Sequence, residues 1–415
     1  MFLILKKHYG EEAPVFGSIT TLYDGLSNLD SSHFWTEGGK QMLLNPTSSF
    51  IDECRQLKLD VGDNQPIKYF TCENWNCSHR RSDNLGMYYD TVKCDCGKQL
   101  KREIPVRNVS KAVEGGVFTK STSTFIISDD LQILPNVTES VRQIVSGLGL
   151  MDIDGTELRN VTIGSNEIME LLKHSLFSST PLTDLVLKKQ TTYKQGNLFY
   201  KKTASTFHAV KFLKVVLQKS TKKFLFAEAD EDFVEFLFSF LAISLGGVEV
   251  LLGINTSLKN IDNIFRSIMY HIDSNYLCQR RKLIRPTIPY GYLLPNWLFS
   301  LTEEGAPKLL YSRGSYRKNE EYLTLSKEVK CVFKSPRGNQ VNFLKGPRKY
   351  MVKDDLTVIP LCMELYVNTL DEQKISLSDV EEASSILKAS LSSTSALSIG
   401  LKRLIKKRPK QEQCA

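Results

Sequence analysis

The stretch "FTKSTSTFIISDDLQILP", residues Phe118–Pro135, occurs a second time without a gap as "FLKGPRKYMVKDDLTVIP", residues Phe343–Pro360. In each copy, two short apolar runs flank a pair of aspartates, which is typical of two β-strands joined by a polar turn. A divalent-metal site at the paired aspartates is the less favoured interpretation. The pattern therefore predicts the same β-hairpin in both halves of the chain. Six positions are identical at a constant offset of 225 residues: Phe118, Lys120, Asp129, Asp130, Leu131 and Pro135.

Three further pairs of segments match in the same order along the chain. They are "LLNPT" (43–47) with "LIRPT" (283–287), "LLKHSLFSSTPL" (171–182) with "ILKASLSSTSAL" (386–397), and, weakly, "ITTLYDGLSNLD" (19–30) with "IDNIFRSIMYHID" (261–273). An ordered series of matches predicts tandem copies of one domain. We predict a first repeat copy at 1–187, a basic linker at 188–208, a second repeat copy at 209–400 and a basic tail at 401–415.

The second copy opens with "AVKFLKVVLQKSTKKFLFAEADEDFVEFLFSFL", residues Ala209–Leu241. Two β-like runs enclose a polar turn, and apolar residues then recur at helical spacing after Asp230, a residue type that favours a helix N-cap. This predicts a β-hairpin that leads into a buried helix. The first copy has no counterpart, so we expect it to be incomplete there and to carry an unpaired sheet edge.

Short strands alternate with amphipathic helices in each predicted copy. The composition, 41% hydrophobic and 24% charged, is that of a globular protein. We predict an α+β fold with two tandem domains and a zinc-ribbon-like hairpin in the first copy. A mixed α/β sheet is the alternative.

Four long motifs carry a resemblance to a known family. They are "FLFAEADEDFVEFLFSFLAISLGG", "GGVFTKSTSTFIISDDLQILP", "LLKHSLFSSTPLTDLVL" and "VKCDCGKQLKREI". These segments resemble the plant proteins of the domain of unknown function 674 family. The resemblance implies a plant protein with tandem copies of the domain, and it supplies no catalytic residues. Without its opening hairpin, the first copy departs from the family pattern.

The stretch "YFTCENWNCSHRRSDNLGMYYDTVKCDCGKQL", residues Tyr69–Leu100, holds four of the nine cysteines. Two pairs of thiolates brought together by turns are the preferred ligands of structural zinc. Gly97 follows the second pair, where a tight turn favours a positive φ. Predicted strands at Tyr88–Val92 and Leu100–Val106 would make this a ribbon-like hairpin. We predict a zinc site at four ligands, with His79 as an alternative ligand: Cys72, Cys77, Cys94 and Cys96. Unrelated thiols and a redox pair remain open.

The repeat offers a comparison within the chain. Alignment of "PIKYFTC" with "APKLLYS" and of "TVKCDCG" with "EVKCVFK" replaces three of the four cysteines in the second copy. The joint loss indicates that the metal belongs to the first copy alone. Four thiolates leave no open coordination position, so we expect a structural metal and not a catalytic one. The aligned residues are Ser312, Arg317, Cys331 and Phe333.

Charge and hydropathy limit the choice of compartment and partner. No secretory signal is recognised, and the most apolar stretch, Phe236–Val248, is too short for a membrane span. Two segments, 188–202 and 401–415, carry +5 each, against a net charge of +8 for the whole chain. The rest is nearly neutral, which leaves "KRPK" (Lys407–Lys410) in the tail as the only predicted contact for nucleic acid. We predict an intracellular protein, cytoplasmic or nuclear.

Common catalytic motifs are missing from the sequence: GxxxxGK[ST], GxGxxG, GxSxG and HExxH do not occur. The function we predict is a non-enzymatic interaction or scaffold protein with an unknown protein partner and a structural zinc site. The alternatives are a nucleic-acid-associated nuclear protein and an enzyme of unfamiliar type.

Overall fold

The computed structural model describes most of the chain. The described residues are 2–57, 67–74, 77, 84–107, 117–120, 123–147, 160–187, 206–294, 297–307, 309–313, 321–325, 332–334, 342–361 and 370–406. Most of the predicted linker, the end of the basic tail, His79, Arg317 and Cys331 lie outside them. Below, the first half means the residues before 188 and the second half those from 206 onward.

Helices occur in both halves. The α-helices are α1 (Phe2–Tyr9), α2 (Gly17–Asn28), α3 (Glu37–Leu44), α4 (Ile51–Gln56), α5 (Thr138–Gly147), α6 (Ser165–Phe177), α7 (Pro181–Leu187), α8 (Glu231–Phe238), α9 (Leu245–Leu252), α10 (Lys259–Tyr270), α11 (Arg280–Ile284), α12 (Val380–Ser392), α13 (Ala396–Gly400) and α14 (Lys402–Lys406). Short 3-10 helices lie at Gly10–Glu12, Ser31–His33 and Ser239–Ala242.

Strands also occur in both halves, and together with the helices they confirm the α+β class. The strands are β1 (Tyr69–Thr71), β2 (Asn84–Met87), β3 (Arg102–Ile104), β4 (Val106–Arg107), β5 (Phe125–Ile127), β6 (Ile133–Pro135), β7 (Thr206–Gln218), β8 (Phe224–Asp230), β9 (Leu309–Arg313), β10 (Glu321–Leu325), β11 (Val332–Lys334), β12 (Lys349–Lys353), β13 (Val358–Pro360) and β14 (Leu370–Asp379).

The largest sheet is antiparallel and lies in the second half, in the order β13-β12-β8-β7-β14. The predicted hairpin at its centre is confirmed, because β7 and β8 pair across the polar turn at 219–223. Asp230 ends β8 and caps α8, since its carboxylate accepts a hydrogen bond from the backbone N–H of Phe233 at 3.1 Å. Every residue of α8 from Phe233 to Phe238 is buried.

The apolar stretch after Asp230 is bent. No helix in the described part of the chain is by itself long and apolar enough to cross a membrane. Glu231–Ala242 and Leu245–Leu252 reach that length and composition only when taken together, and the two segments meet at 116°.

The two matched aspartate stretches form the same hairpin. β5 and β6 pair in the first half, and β12 and β13 pair in the second. Leu131 and Leu356, at the same place in the two turns, adopt the left-handed φ values of 59° and 64°. The polar turn that the paired aspartates predict is therefore present twice.

Contacts between the two halves also occur in matching pairs. The Trp35 N–H donates to Phe343 O at 3.0 Å, and the Cys278 N–H donates to Phe118 O at 2.8 Å. Likewise, α2 packs on α12 and β13 of the second half, whereas α10 packs on α6 and β6 of the first. Each half therefore supplies a helix that covers the hairpin of the other.

One hydrophobic core runs through both halves, and its buried members extend from Phe2 to Leu401. Two smaller clusters lie on the faces of the sheet β11-β2-β1-β3. The boundaries that we predict at 187 and 209 remain a prediction.

The ribbon prediction needs a correction. β2 ends at Met87, because Tyr88 adopts a left-handed φ of 69°, so the predicted strand at Tyr88–Val92 is wrong. The second predicted strand is divided into β3 and β4. The hairpin beyond Tyr88 is instead a tight turn closed by a bridge between Lys93 and Gln99.

Candidate metal centre

The four predicted ligands lie together. The sulfur atoms of Cys72, Cys77, Cys94 and Cys96 are all within 4.8 Å of one another. Cys72 Sγ lies 3.4 Å from Cys96 Sγ, and Cys77 Sγ lies 3.5 Å from Cys94 Sγ. A tetrahedral zinc ion with Zn–S bonds of ~2.3 Å requires sulfurs ~3.8 Å apart. The donor set fits such an ion in ligand type and number, with sulfur separations near the required distance. The alternative ligand, His79, lies outside the described residues.

Two turns position the sulfurs. Cys72 follows β1, and the Cys77 N–H donates to Asn74 O at 3.0 Å in the turn that brings Cys77 back. Cys94 and Cys96 lie in the second turn, where the Cys94 N–H donates to Lys98 O at 2.8 Å. Gly97 adopts a φ of +83° there, as its position predicts. Each turn contributes two ligands.

Backbone amides donate hydrogen bonds to two of the sulfurs. The N–H of Asn74 donates to Cys72, and the N–H of Lys98 donates to Cys96. In both cases the donor follows the cysteine by two residues. Hydrogen bonds to the charged form favour it, so these amides prepare the sulfurs to act as metal ligands.

The environment of the cluster shifts the pKa values of three of its thiols in different directions. Burial raises the pKa of Cys72 to about 11, and the hydrogen bond with Cys94 raises the pKa of Cys77. The exposed Cys96 differs, because the Lys98 amide lowers its pKa to about 7. Four adjacent thiolates repel one another. A bound divalent cation would offset that repulsion and draw the protons off all four sulfurs.

The apolar cluster around the sulfurs has few members. Phe70, Val92 and Leu100 are the buried carbon side chains of this cluster, and Cys72 and Cys94 complete it. These few apolar groups bury little area beside the two loops, and a bound metal would add to their stabilisation.

The second half supports the other face of the same sheet. β11 pairs with β2 in parallel, and Phe333, the residue aligned with Cys96, packs its ring 5.9 Å from that of Tyr69. Lys334 forms an ion pair with Asp95 at 2.8 Å, between two of the cysteines. No motif in the sequence predicts this contact. Among the other aligned residues, Ser312 lies in β9.

The paired aspartates serve a different purpose. The Asp129 carboxylate accepts hydrogen bonds from the backbone N–H and the hydroxyl of Thr183, both at 2.8 Å. Asp354 accepts the equivalent pair from Ser398, at 2.7 and 2.8 Å. These carboxylates fix the short helices α7 and α13 to the hairpin turns. This role requires no metal ion.

A cavity of about 790 Å³ lies among α1, α2, α6, α9 and α12. Most of its wall is apolar, as at Phe16, Met169 and Leu391, and Lys7 and Gln41 contribute polar groups. None of the described residues that line it is an aspartate, glutamate, histidine or cysteine. The cavity is thus separate from the sulfur cluster.

Comparisons with known proteins give one match. A family model described as "Protein of unknown function (DUF674)" matches residues 3–389, nearly the whole chain. No curated protein and no solved structure matches. The family resemblance of the sequence motifs is confirmed.

Proposed function

Since the chain belongs to the DUF674 family of proteins of unknown function, we propose a function from its geometry: a non-enzymatic interaction or scaffold protein with one structural zinc ion. The observation that carries the zinc assignment is the approach of all four sulfurs to within 4.8 Å. The four ligands come from two turns that contribute two cysteines each. This arrangement is typical of structural zinc sites.

The metal's proposed role is to join two loops. Cys72 and Cys77 follow β1, whereas Cys94 and Cys96 belong to the turn after β2. A fourfold thiolate site has no open position for substrate or water, which favours a structural role over a catalytic one. Zinc in this place would fix the end of β1 against the turn at 94–97.

The interaction role is proposed from the composition of the large cavity. The described residues that line the large cavity include lysine, serine and tyrosine but no carboxylate, imidazole or thiol, so the side chains most often used as general acids and bases are missing from them. Binding is what an apolar cavity favours. Contact with nucleic acid would depend on Lys407–Lys410, outside the described residues.

Metal analysis of the purified chain tests the zinc site. We expect one zinc per chain, lost in both Cys72→Ser and Cys94→Ser. The matched control is Cys278→Ser, because Cys278 is an exposed free thiol away from the cluster. A well-folded protein that contains no metal, or full zinc retention in both variants, would contradict the proposal.

A substrate screen tests the non-enzymatic role. We expect no turnover in an unbiased panel of metabolites and ester or phosphate substrates. Turnover that is abolished by substituting a residue of the cavity wall, such as Met169→Trp, would establish an enzyme instead.

A further inference from the structure

The hairpin β5–β6 has an open edge. In the second half, β12 pairs with β13 on one side and with β8 on the other, where Met351 is opposite Glu228. β5 is the counterpart of β12 at the offset of 225 residues. Among the described residues, however, β5 pairs with β6 alone. Within the part of the chain that the structure describes, the edge that β8 occupies in the second half is therefore unpaired in the first.

Side chains beside this edge are uncovered as well. Val352 on β12 is 0% exposed, whereas its counterpart Ile127 on β5 is 49% exposed. Leu401 is 0% exposed, whereas its counterpart Val186 at the end of α7 is 40% exposed. The edge of β5 together with Ile127 and Val186 is called the open face below.

Several other contacts around the two hairpins match. The Phe125 ring lies 6.0 Å from that of Tyr276, as the Tyr350 ring lies 5.6 Å from that of His33. Asp129 and Asp354 make matching bonds to α7 and α13, and α10 covers β6 as α2 covers β13. The open face thus differs from its counterpart mainly in lacking a cover.

The structure shows what the cover is in the second half. β8 adds to β12, β7 adds to β8, and α8 packs on β7, β8 and β12. Ala227 on β8 lies opposite Val352, and both are 0% exposed. Phe233 of α8 is also 0% exposed. A hairpin followed by a helix, residues 206–238, therefore covers the edge of β12 and buries Val352, the counterpart of Ile127.

We propose that the open face binds a β-hairpin followed by an amphipathic helix, supplied by a second polypeptide. The hairpin adds to the edge of β5 through main-chain hydrogen bonds, and its helix covers Ile127 and Val186. The chain's own unit at 206–238 is already engaged in the large sheet, so it does not also cover the open face. This partner chemistry deepens the interaction role proposed above and is independent of the metal centre.

A synthetic polypeptide with the sequence of residues 206–242 is the direct probe. We expect it to bind the full chain at one site and to slow amide hydrogen exchange at 125–127. Ile127→Asp should weaken binding at least tenfold. Ile359→Asp is the matched control, because Ile359 is 38% exposed on β13, outside the open face. Equal binding to the wild type and to Ile127→Asp would overturn the proposal.

A fusion variant provides a second test if the synthetic polypeptide does not fold alone. α1 is the counterpart of α9, since Gly10 and Gly253 end them with φ values of 58° and 62°. In this fusion variant, an additional copy of residues 206–244 is therefore placed directly before Phe2. We expect the midpoint of thermal unfolding to rise by roughly 5 °C or more, and Ile127→Asp to abolish the gain. A failure of both the probe and the fusion overturns the proposal, and zinc content, measured in parallel, separates this failure from that of the metal site.

Discussion

Glu249 in α9 is removed from water without a full set of hydrogen bonds. It is 1% exposed, one carboxylate oxygen accepts from the Thr256 hydroxyl at 3.3 Å, and the other has no partner. Burial, followed by the nearby Asp262 carboxylate, raises the pKa of Glu249 to about 9. The folded protein therefore holds this carboxyl group in its neutral form at pH 7.

Glu249→Gln should stabilise the protein in a pH-dependent way. A raised pKa means that the folded state binds the proton more tightly than the unfolded state. The stability that Glu249 contributes is complete below its unfolded pKa of about 4.3 and is lost as pH rises toward 9. The variant avoids this loss, and we expect it to gain about 2–4 kcal/mol at pH 7. Urea unfolding between pH 5 and 9 measures the difference, which should widen with pH. A constant difference would contradict the assignment.

Single residues also show how far the sequence could predict conformation. The positive φ of Gly97 follows from residue type, because glycine reaches that region without strain. Tyr88 reaches a φ of 69° for a tertiary reason: its hydroxyl donates to Tyr290 O at 2.9 Å, far along the chain. No local pattern encodes that contact, and for this reason the predicted strand at Tyr88–Val92 was wrong.

At the scale of elements, α7 and α13 provide a matched pair. Each is a short helix whose start is bound by a carboxylate of the preceding hairpin, Asp129 or Asp354. We expect Asp129→Ala and Asp354→Ala each to lower the free energy of unfolding by about 1–2 kcal/mol, because both remove a bond to a helix N-terminal N–H. Urea unfolding provides the measurement. Glu139→Ala is the control, since its ion pair with Arg142 is exposed and should contribute under 1 kcal/mol.

Metal removal should loosen one sheet selectively. β1, β2 and β3 surround the sulfur cluster, whereas β8 and β12 belong to the large core. After treatment with a chelator, we expect faster amide hydrogen exchange at 69–71 and 102–104 and unchanged exchange at 226–229. Equal exchange with and without the chelator in a zinc-loaded sample would show that the metal does not hold the sheet.

Elements that local sequence specifies were predictable. The hairpin β7–β8 and the cap at Asp230 follow from alternation, a polar turn and a capping residue. β11 was not predicted, because its partner β2 lies far away in sequence and the pairing depends on the tertiary fold. The clustering of the cysteines was predictable from spacing, but the support given by Phe333 and Lys334 was not.

For the whole molecule, the sequence repeat pointed to paired hairpins but not to how they are covered. A repeat identifies equivalent residues, and it says nothing about which half packs on which. The structure shows α2 on the hairpin of the second half and α10 on that of the first, within a single core. This reciprocal covering of each hairpin by a helix of the other half depends on long-range packing, which no motif in either half encodes.

Because each half supplies a helix that covers the hairpin of the other, we predict that the halves stay together without a covalent link. A protease site inserted within residues 188–205 allows cleavage of the native full chain. We expect the two fragments to co-elute in size-exclusion chromatography and to separate only in denaturant, because each half supplies a buried helix to the other. Asn263→Ala should promote separation, since the Asn263 amide donates to the backbone oxygen of Asp130 at 2.9 Å across the two halves. Tyr270→Ser, on the same helix but 67% exposed, is the control. Fragments that elute apart after cleavage of the otherwise unaltered chain would show that the shared core contributes little to its cohesion.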